Sequence, residues 1–287
     1  MVDTRDGIVA GYDGSPSAGQ ALRWAVREAR ERGTVLTLCL AWAPEYLAML
    51  GEASAYDFAE RKGNEILAPG AEYARSVLGP EAVRPILACG SAARVLCERS
   101  VTAEMVVVGS RGQGGVVGLL LGSVAWEVAA YGHGPVVMIR GRWKIADHPP
   151  GPVVVGIDES PQSRATIEFA FSEAQLHRAP LLAVCAVMDS SDTLGGAREM
   201  EAEFSQAMAR REKEHPNVVV QRQIAQASPR TALLSAATGA QMLVVGCRGR
   251  EGVPGMKLGS VAQAMLQYAP CPVAVIHPAG NSDPASG

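Results

Sequence analysis

The sequence of 287 residues contains one pattern twice, and this repeat constrains the fold more than any other feature. Residues 7–29 match residues 152–174 at an offset of 145. Residues 105–129 match residues 242–266 at an offset of 137, and both copies keep the same order and direction. The chain is therefore a tandem duplication.

The repeat predicts two domains, each long enough to bury a core of its own. We place the first domain at residues 1–140 and the second at residues 152–287, with an ordered core that ends at about residue 278. Residues 141–151 include Pro149 and Pro150 and are predicted to form the linker between them.

Composition and charge exclude several classes of protein. Apolar residues make up 48% and charged residues 19% of the chain, a balance typical of globular proteins and not of disordered ones. The net charge of −3 argues against a protein that coats nucleic acid or an anionic membrane. No apolar run approaches the roughly 18 residues that span a bilayer, and the sequence shows no secretory signal. Six scattered cysteines without metal-ligand spacing indicate reduced thiols, so we predict a cytoplasmic protein.

Short apolar runs alternate with helical patterns in each copy, which is typical of βα units around a parallel sheet. In the first copy the predicted strands are Ile8–Tyr12, Val35–Trp42, Val83–Cys89, Met105–Gly109 and Val136–Ile139. The predicted helices are Ser17–Arg32, Phe58–Leu78, Ala92–Ser100 and Ser123–Tyr131. We therefore predict an α/β, Rossmann-like fold made of two open parallel sheets with helices on both faces. Ligands of such folds bind at the edge formed by the carboxyl ends of the strands.

Each copy has a glycine-rich loop at that edge, before its last helix. The first copy has Gly109–Gly112 and, after nine intervening residues, Gly122–Ser123; the second has Gly246–Gly249 and Gly259–Ser260 at the same spacing. Such glycines let backbone N–H groups approach an anion, the helix start favours phosphate, and the arginine inside each loop adds donors. The alternative is that the glycines only shape two tight turns. The recurrence of the spacing in both copies favours phosphate binding.

The turn after the first strand contains Asp13 in one copy and Asp158 in the other. An aspartate at this position can cap the following helix, or it can lie beside a ribose, a base edge or a phosphate-bound Mg²⁺. The sequence leaves both alternatives open. It contains neither a Walker A loop nor a dinucleotide fingerprint.

The aspartate turn and the G-x-x-G-x9-G-[ST] loop together resemble the ATP-binding branch of the universal stress proteins, as a tandem two-domain member of the kind common in actinobacteria. The resemblance implies five parallel strands per domain in the order 3-2-1-4-5, and one ATP per domain with Mg²⁺ near Asp13 and Asp158. Carried over to this chain, the first binding set is Gly11, Asp13, Ala41, Gly109, Ser110, Arg111, Gly112, Gly114, Gly115, Gly122, Ser123 and Val124. The second set is Gly156, Asp158, Ala186, Gly246, Cys247, Arg248, Gly249, Gly252, Gly259, Ser260 and Val261.

The second copy departs from the family pattern at Glu159, Glu251 and Pro254. A carboxylate beside a triphosphate costs on the order of 1 kcal/mol, which predicts weaker binding at the second site. Arg250 and Lys257 oppose this penalty.

The resemblance implies an ATP-binding stress-response regulator whose nucleotide occupancy reports the energy state, with little or no turnover. The rival is a slow ATPase or another nucleotide-using enzyme on the same fold. We nominate no catalytic residue, because hydrolysis needs a positioned water, a base and strong Mg²⁺ ligation, and each copy offers one aspartate. A third alternative is a scaffold whose nucleotide is purely structural. A downstream protein partner of unknown identity is expected, and neither nucleic acid nor a membrane is.

The fifth predicted strands, Val136–Ile139 and Val273–Ile276, would be short apolar edge strands. Exposed apolar edges are a liability that proteins usually cover. We therefore expect the two copies to cover each other's edge within one chain, as a pseudo-twofold pair, and helix faces to build a homodimer.

Overall fold

The computed structural model describes residues 6–42, 52–113, 121–140, 151–158, 160, 163–187, 204–206, 208–249 and 256–277, with the backbone alone at residues 52–56. Some of the predicted features lie outside these ranges. They are the linker up to Pro150, the loop glycines Gly114, Gly115 and Gly252, and the departures Glu159, Glu251 and Pro254.

The first half alternates strands and helices as predicted. Its strands are β1 (Ile8–Gly11), β2 (Leu36–Trp42), β3 (Val83–Cys89), β4 (Met105–Gly109) and β5 (Pro135–Ile139). Its helices are α1 (Pro16–Arg32), α2 (Glu52–Leu78), α3 (Ala92–Arg99) and α4 (Ser123–Tyr131), with a 3-10 turn at Pro80–Ala82. Helix α2 begins before the predicted Phe58, because helix formers such as Glu and Ala extend it ahead of the apolar pattern.

The second half repeats this alternation. Its strands are β6 (Val153–Ile157), β7 (Leu181–Val187), β8 (Val220–Gln226), β9 (Met242–Gly246) and β10 (Val273–Ile276). Its helices are α5 (Ser163–Leu176), α6 (Pro229–Ala236) and α7 (Ser260–Tyr268), and residues 208–214 are also helical. Helices α5, α6 and α7 are the counterparts of α1, α3 and α4.

All ten of these strands form one sheet, in the order β3-β2-β1-β4-β5-β10-β9-β6-β7-β8. Within each half the neighbouring strands are parallel and follow the order 3-2-1-4-5, as the family resemblance implied. The two halves meet where β5 pairs antiparallel with β10, and Val137 opposite Ala274 marks the centre of that pair. The α/β fold class is confirmed.

The two predicted five-stranded sheets are thus continuous with each other. Every residue of β10 is paired with one of β5, from Val273 opposite Met138 to Ile276 opposite Pro135. Pairing satisfies the backbone groups of both apolar edges, which is the reason that the two copies were expected to cover each other. We call the boundary between the halves, on both faces of the sheet, the seam.

Helices cover both faces of the sheet, and each face has its own core. One apolar core contains residues of α1, α2 and α5 together with Phe204 and Met208. The other contains residues of α3, α4, α6 and α7. Because both faces are buried, strands such as β4 and β9 are apolar at successive positions. Within the described part of the chain, no helix is both long and apolar enough to cross a bilayer.

Candidate functional site

The candidate site of each half lies where two adjacent strands send their chain connections in opposite directions. β1 pairs with β2 on one side and β4 on the other, and β6 pairs likewise with β7 and β9. The loops that leave the carboxyl ends of β1 and β4 therefore diverge and leave a crevice between them, as do those of β6 and β9. The predicted aspartate turn and glycine loop meet at this crevice in both halves.

Asp13 ties the turn after β1 to the glycine loop after β4. Its Oδ1 accepts a hydrogen bond from the Ser15 backbone N–H at 2.9 Å, and its Oδ2 accepts one from the Gln113 backbone N–H at 2.9 Å. The Gln113 side chain donates to the Asp13 carbonyl oxygen at 2.6 Å. The Arg111 N–H donates to Ser17 Oγ at 3.3 Å. Both carboxylate oxygens of Asp13 have donors from the chain itself, so this aspartate holds the crevice in shape.

Gly112 and Gly249 let their loops approach the aspartates. A Cβ on Gly112 would lie 2.7 Å from Asp13 Oδ2, and a Cβ on Gly249 would lie 2.6 Å from Asp158 Oδ2. Real side chains do not tolerate such distances. Any side chain at these two positions would therefore displace either the aspartate carboxylate or the glycine loop.

Other predicted site glycines serve the packing of helices on the sheet. A Cβ on Gly109 would lie 2.7 Å from the backbone carbonyl carbon of Ser17 in α1. A Cβ on Gly11 would lie 3.0 Å from Leu96 of α3, and one on its counterpart Gly156 would lie 2.9 Å from a leucine of α6. Close helix packing accounts for these three glycines. A Cβ on Gly246 would have its nearest neighbour, the Arg248 carbonyl oxygen, at 3.2 Å.

The helices after the glycine loops begin without a side-chain cap. In α1 and α6 an N-cap serine accepts a backbone N–H at 3.1 and 3.2 Å, but α4 and α7 begin after Gly122 and Gly259. The Gly122 N–H donates to the Ser110 carbonyl at 2.8 Å and the Gly259 N–H to the Cys247 carbonyl at 2.7 Å, so each helix start contacts its own loop. First-turn N–H groups have no acceptor within a helix and favour an anion. In α4 and α7 these first-turn N–H groups belong to Ser123, Val124, Ser260 and Val261.

Asp158 is held differently from Asp13. Its Oδ1 accepts hydrogen bonds from the Ser160 N–H at 3.1 Å, the Ser160 hydroxyl at 2.6 Å and the Ser163 hydroxyl at 2.7 Å. These donors belong to the same turn and to the first residue of α5. The residue that corresponds to Gln113 is Arg250, which lies outside the described residues. The aspartate turn of the second half is thus stabilised by two serines of its own, and Gly249 approaches Asp158 Oδ2 as closely as Gly112 approaches Asp13 Oδ2.

The two loop arginines also differ. Arg111 is exposed, whereas Arg248 is half-buried, and its buried Nε has no hydrogen-bond partner among the described residues. The neighbouring Cys247 is buried, and this burial raises the pKa of its thiol. A buried guanidinium N–H that lacks an acceptor fits an anion bound in the second crevice.

Ala41 and Ala186 lie near the carboxyl ends of β2 and β7, beside the strands that flank each crevice. They are in register with Ala88 and Ala225, and both are half-buried. Their position leaves surface for a ligand at the same edge of the sheet.

Comparison with known proteins agrees with this architecture. The sequence model of the universal stress protein family matches residues 4–140 and again residues 151–277. The chain belongs to the universal stress protein family. A universal stress protein of Mycobacterium tuberculosis is 36% identical in an alignment of 301 positions that covers 95% of each chain. One of Mycolicibacterium smegmatis is 34% identical in an alignment of 288 positions that covers 96% of this chain and 98% of the relative. A solved universal stress protein from Archaeoglobus fulgidus, 19% identical, shares the fold with a TM-score of 0.73 over 95% of this chain and 96% of its own.

This universal stress protein also has a buried ionic cluster at the seam, which the sequence analysis missed. Arg32 of α1 donates to Glu28 at 2.8 Å and also contacts Glu173 of α5. His177 Nε2 lies 3.0 Å from Glu28 Oε2 and 3.6 Å from Glu173 Oε2. The side chains of Glu28 and Glu173 are 1% and 0% exposed. The cluster therefore joins the two halves on the face of the sheet that α1 and α5 cover.

The charge of His177 balances this cluster. Burial by itself lowers the pKa of His177, but hydrogen bonds to Glu173 and Glu28 outweigh it and raise the pKa to about 9. Arg27 Nη2 lies 3.3 Å from His177 Nδ1, a contact that favours a neutral ring. The effect of the two glutamates on the pKa of His177 is larger than the effect of this contact. At neutral pH the protonated His177 and Arg32 therefore face Glu28 and Glu173, and burial raises the pKa of Glu173. Although ligand atoms of Glu28, Glu173 and His177 lie within 4.8 Å of one another, Arg32 already pairs with both carboxylates.

The repeat itself contains the signal that could have revealed the cluster. At the offset of 145, Glu28 corresponds to Glu173 and Arg32 corresponds to His177. Residues that occupy equivalent places near a twofold axis meet each other. A pair of acids at one such place, with cations one helical turn later, indicates an ionic contact across the axis.

Proposed function

We propose that this universal stress protein binds ATP with Mg²⁺, one nucleotide in the crevice of each half, and acts as a nucleotide-responsive regulator with little or no turnover. The observation that carries the proposal is the pair of glycine-started helices, α4 and α7, each in contact with a glycine loop at the crevice. The motif resemblance to the ATP-binding branch of the family supports the choice of ATP.

The residues at each crevice fit a polyphosphate. The first-turn N–H groups after Gly122 and Gly259 would hold phosphate oxygens, and Arg111 and Arg248 would add charged donors. The buried Nε of Arg248 lacks an acceptor among the described residues, which an anion would supply. Ala41 and Ala186 would lie on the nucleoside side of the crevices. Bound nucleotide with Mg²⁺ would supply a charged ligand whose presence changes the surface that a partner meets.

The contacts of the aspartates favour binding over hydrolysis. Asp13 accepts a backbone N–H at each carboxylate oxygen, and Asp158 accepts three donors at Oδ1. Carboxylates that are engaged in this way position loops and are poorly placed to take a proton from water. The slow ATPase thus remains the second candidate, and it would need a base other than these two aspartates.

The decisive experiment compares retention of ATP with its turnover. Purified protein is loaded with radiolabelled ATP and Mg²⁺, passed over a desalting column, and assayed for bound nucleotide and released phosphate over several hours. We expect about two ATP per chain and release far slower than one per second, the lower end of ordinary enzyme turnover. Turnover at or above that rate would favour the enzyme, and the absence of bound nucleotide would refute the proposal.

The expected homodimer must use surfaces other than the fifth strands. β5 and β10 are paired with each other, and the sheet ends at β3 and β8. A dimer would therefore form through helix faces, as expected from the sequence, or through the outer strands β3 and β8, and sedimentation of the intact chain over a concentration series would detect it.

A further inference from the structure

The glycine loop of each crevice is fixed to the last residue of the fifth strand in its own half. The Ser110 N–H donates to the Ile139 carbonyl at 3.0 Å, and the Cys247 N–H donates to the Ile276 carbonyl at 2.9 Å. β5 and β10 are the two strands that pair across the seam. A shift of either loop therefore moves the end of a strand that the other half contacts.

The residue that follows each fifth strand crosses the seam. Arg140 Nη1 donates to the Leu266 carbonyl oxygen of α7 at 3.1 Å, and His277 Nε2 lies 3.0 Å from the Ala129 carbonyl oxygen of α4. At the offset of 137, Arg140 corresponds to His277 and Ala129 corresponds to Leu266. The same contact is thus made twice, in opposite directions.

Both contacts satisfy helix ends that would otherwise lack donors. Ala129 and Leu266 lie in the last turns of α4 and α7, whose carbonyl groups have no partner within the helix. Burial, more than the nearby His133 and Arg248, lowers the pKa of His277 to about 4, so the ring is neutral. Since a carbonyl oxygen can only accept, Nε2 carries the hydrogen of this bond.

The helices that receive these bonds begin at the candidate phosphate sites. α4 starts after Gly122 in the first crevice, and its far end receives His277, which follows the strand bound to the second loop. α7 starts after Gly259 in the second crevice, and its far end receives Arg140, which follows the strand bound to the first loop. A continuous chain of contacts therefore runs from each crevice to the other. It consists of the glycine loop, the end of the fifth strand, the crossing residue and the helix of the opposite half.

We propose that Arg140 and His277 are positioning residues that couple the two crevices, so that ATP bound at one site strengthens binding at the other. This inference rests on the proposed function. An anion that fixes one loop and one helix start also fixes the crossing contacts. Binding of the second ligand then costs less conformational entropy, because part of its site is already ordered. Coupling of this kind is reciprocal and amounts to a factor of about 5 to 150 in affinity.

Electrostatics at the crossing residues act in the same direction. Burial and the nearby Arg111 lower the pKa of Arg140, which shows that the two guanidinium groups repel each other. Phosphate beside Arg111 would relieve that repulsion and stabilise Arg140 in its contact with Leu266. Ligand in the first crevice would thereby stabilise the helix that begins at the second.

The test counts protein with zero, one and two bound ATP by native mass spectrometry during a titration with Mg²⁺ and ATP. For two independent sites, equal or not, the second stepwise association constant cannot exceed one quarter of the first. We expect the wild-type ratio to exceed one quarter. In Arg140→Met/His277→Leu, which removes both crossing donors, the coupling factor should be lost and the ratio should fall from its wild-type value to one quarter or below.

Two further variants separate coupling from stability. Arg140→Lys/His277→Gln keeps an N–H donor at both positions and should keep the wild-type ratio. If the crossing residues had a merely structural role, Arg140→Met/His277→Leu would lower the melting temperature and leave the ratio unchanged. Arg140→Met alone breaks one contact at a half-buried position and should lower the ratio if the double variant does not fold. Two bound ATP with a wild-type ratio at or below one quarter would overturn the coupling and leave the proposed function intact. No bound ATP would overturn the proposed function and the coupling with it.

Discussion

Replacing Gly122 with aspartate is expected to block the first crevice and leave the fold intact. Gly122 has φ −80° and ψ 154°, a conformation that any residue adopts, and a Cβ there would have its nearest neighbours at 3.4 Å. The new carboxylate would cap the first turn of α4, which stabilises a helix by a few tenths of a kcal/mol relative to glycine. It would also occupy the place where we expect phosphate.

The size of the effect follows from charge. A carboxylate and a phosphate held about 4 Å apart repel each other by about 4 kcal/mol at an effective dielectric constant near 20, which corresponds to roughly a thousandfold loss of affinity. Calorimetric titration with ATP should therefore show the stoichiometry falling from two to one, while the melting temperature stays equal or rises. Gly259→Asp should do the same to the second site, because a Cβ there has its nearest neighbours at 3.5 Å.

Ser91→Asp and Ser228→Asp are the matched controls. They place the same charge at the equivalent N-caps of α3 and α6, which follow the outermost strands, so ATP stoichiometry should remain two. Retention of two full-affinity sites in Gly122→Asp, with the helix stabilised, would show that phosphate does not bind at the start of α4. Gly109→Asp is a poorer probe of the same site, because its side chain would collide with the backbone of Ser17.

Three shorter predictions concern pH, assembly and base selection. The free energy of unfolding should fall by about 3 kcal/mol between about pH 6.5 and pH 9. His177 keeps its proton in the folded protein up to its raised pKa of about 9, but it loses the proton near pH 6.5 when the chain is unfolded. Urea unfolding at several pH values would measure this fall, and His177→Gln should not show it. Residues 1–140 expressed alone should self-associate through the uncovered β5, and a monomer at high concentration would contradict the role given to that edge. ATP should bind in preference to GTP, since the family resemblance places the adenine edge near Ala41 and Ala186, and equal affinity in a competition titration would refute it.

Much of the fold could be predicted because its signals are local. The apolar runs of β4 and β9 mark buried parallel strands, and the helical pattern predicted α1 from Ser17, one residue after its observed start at Pro16. The meeting of Asp13 with the glycine loop also followed from sequence, since right-handed crossovers bring the carboxyl ends of parallel strands to one edge. Chain topology thus placed residues 100 positions apart in contact.

What the sequence did not predict depends on contacts between distant residues. The hydrogen bond from Arg140 to Leu266 spans 126 positions and that from His277 to Ala129 spans 148, and no local pattern marks either. The buried acids Glu28 and Glu173 lie on helices whose pattern reports only one apolar face. The roles of Gly11 and Gly156 were also missed, because a sequence does not show how closely a helix approaches a strand.

A duplicated chain can make the two sides of its seam differ, and here they differ in charge. At both equivalent pairs described above the first half has arginine and the second has histidine: Arg32 against His177, and Arg140 against His277. The first crevice therefore has Arg140 near Arg111, whereas the second has a neutral His277 near Arg248. An extra cation about 10 Å from a phosphate contributes about 1.7 kcal/mol at an effective dielectric constant near 20, and screening at about 0.01 M salt reduces this to about 1.2 kcal/mol, so the first site should bind ATP roughly fivefold to tenfold more tightly at low salt.

Exchange of these two residues tests that asymmetry. Arg140→His, measured in the Gly259→Asp background where only the first site binds, should weaken ATP roughly fivefold at low salt and less at high salt. His277→Arg in the Gly122→Asp background should strengthen the second site by a similar factor, although burial of a permanent charge at this position costs stability. Both replacements keep a donor for the opposite helix, so their effect reports charge and not the loss of the crossing contact. Unchanged affinities in both backgrounds would mean that the charge difference between Arg140 and His277 does not affect phosphate binding.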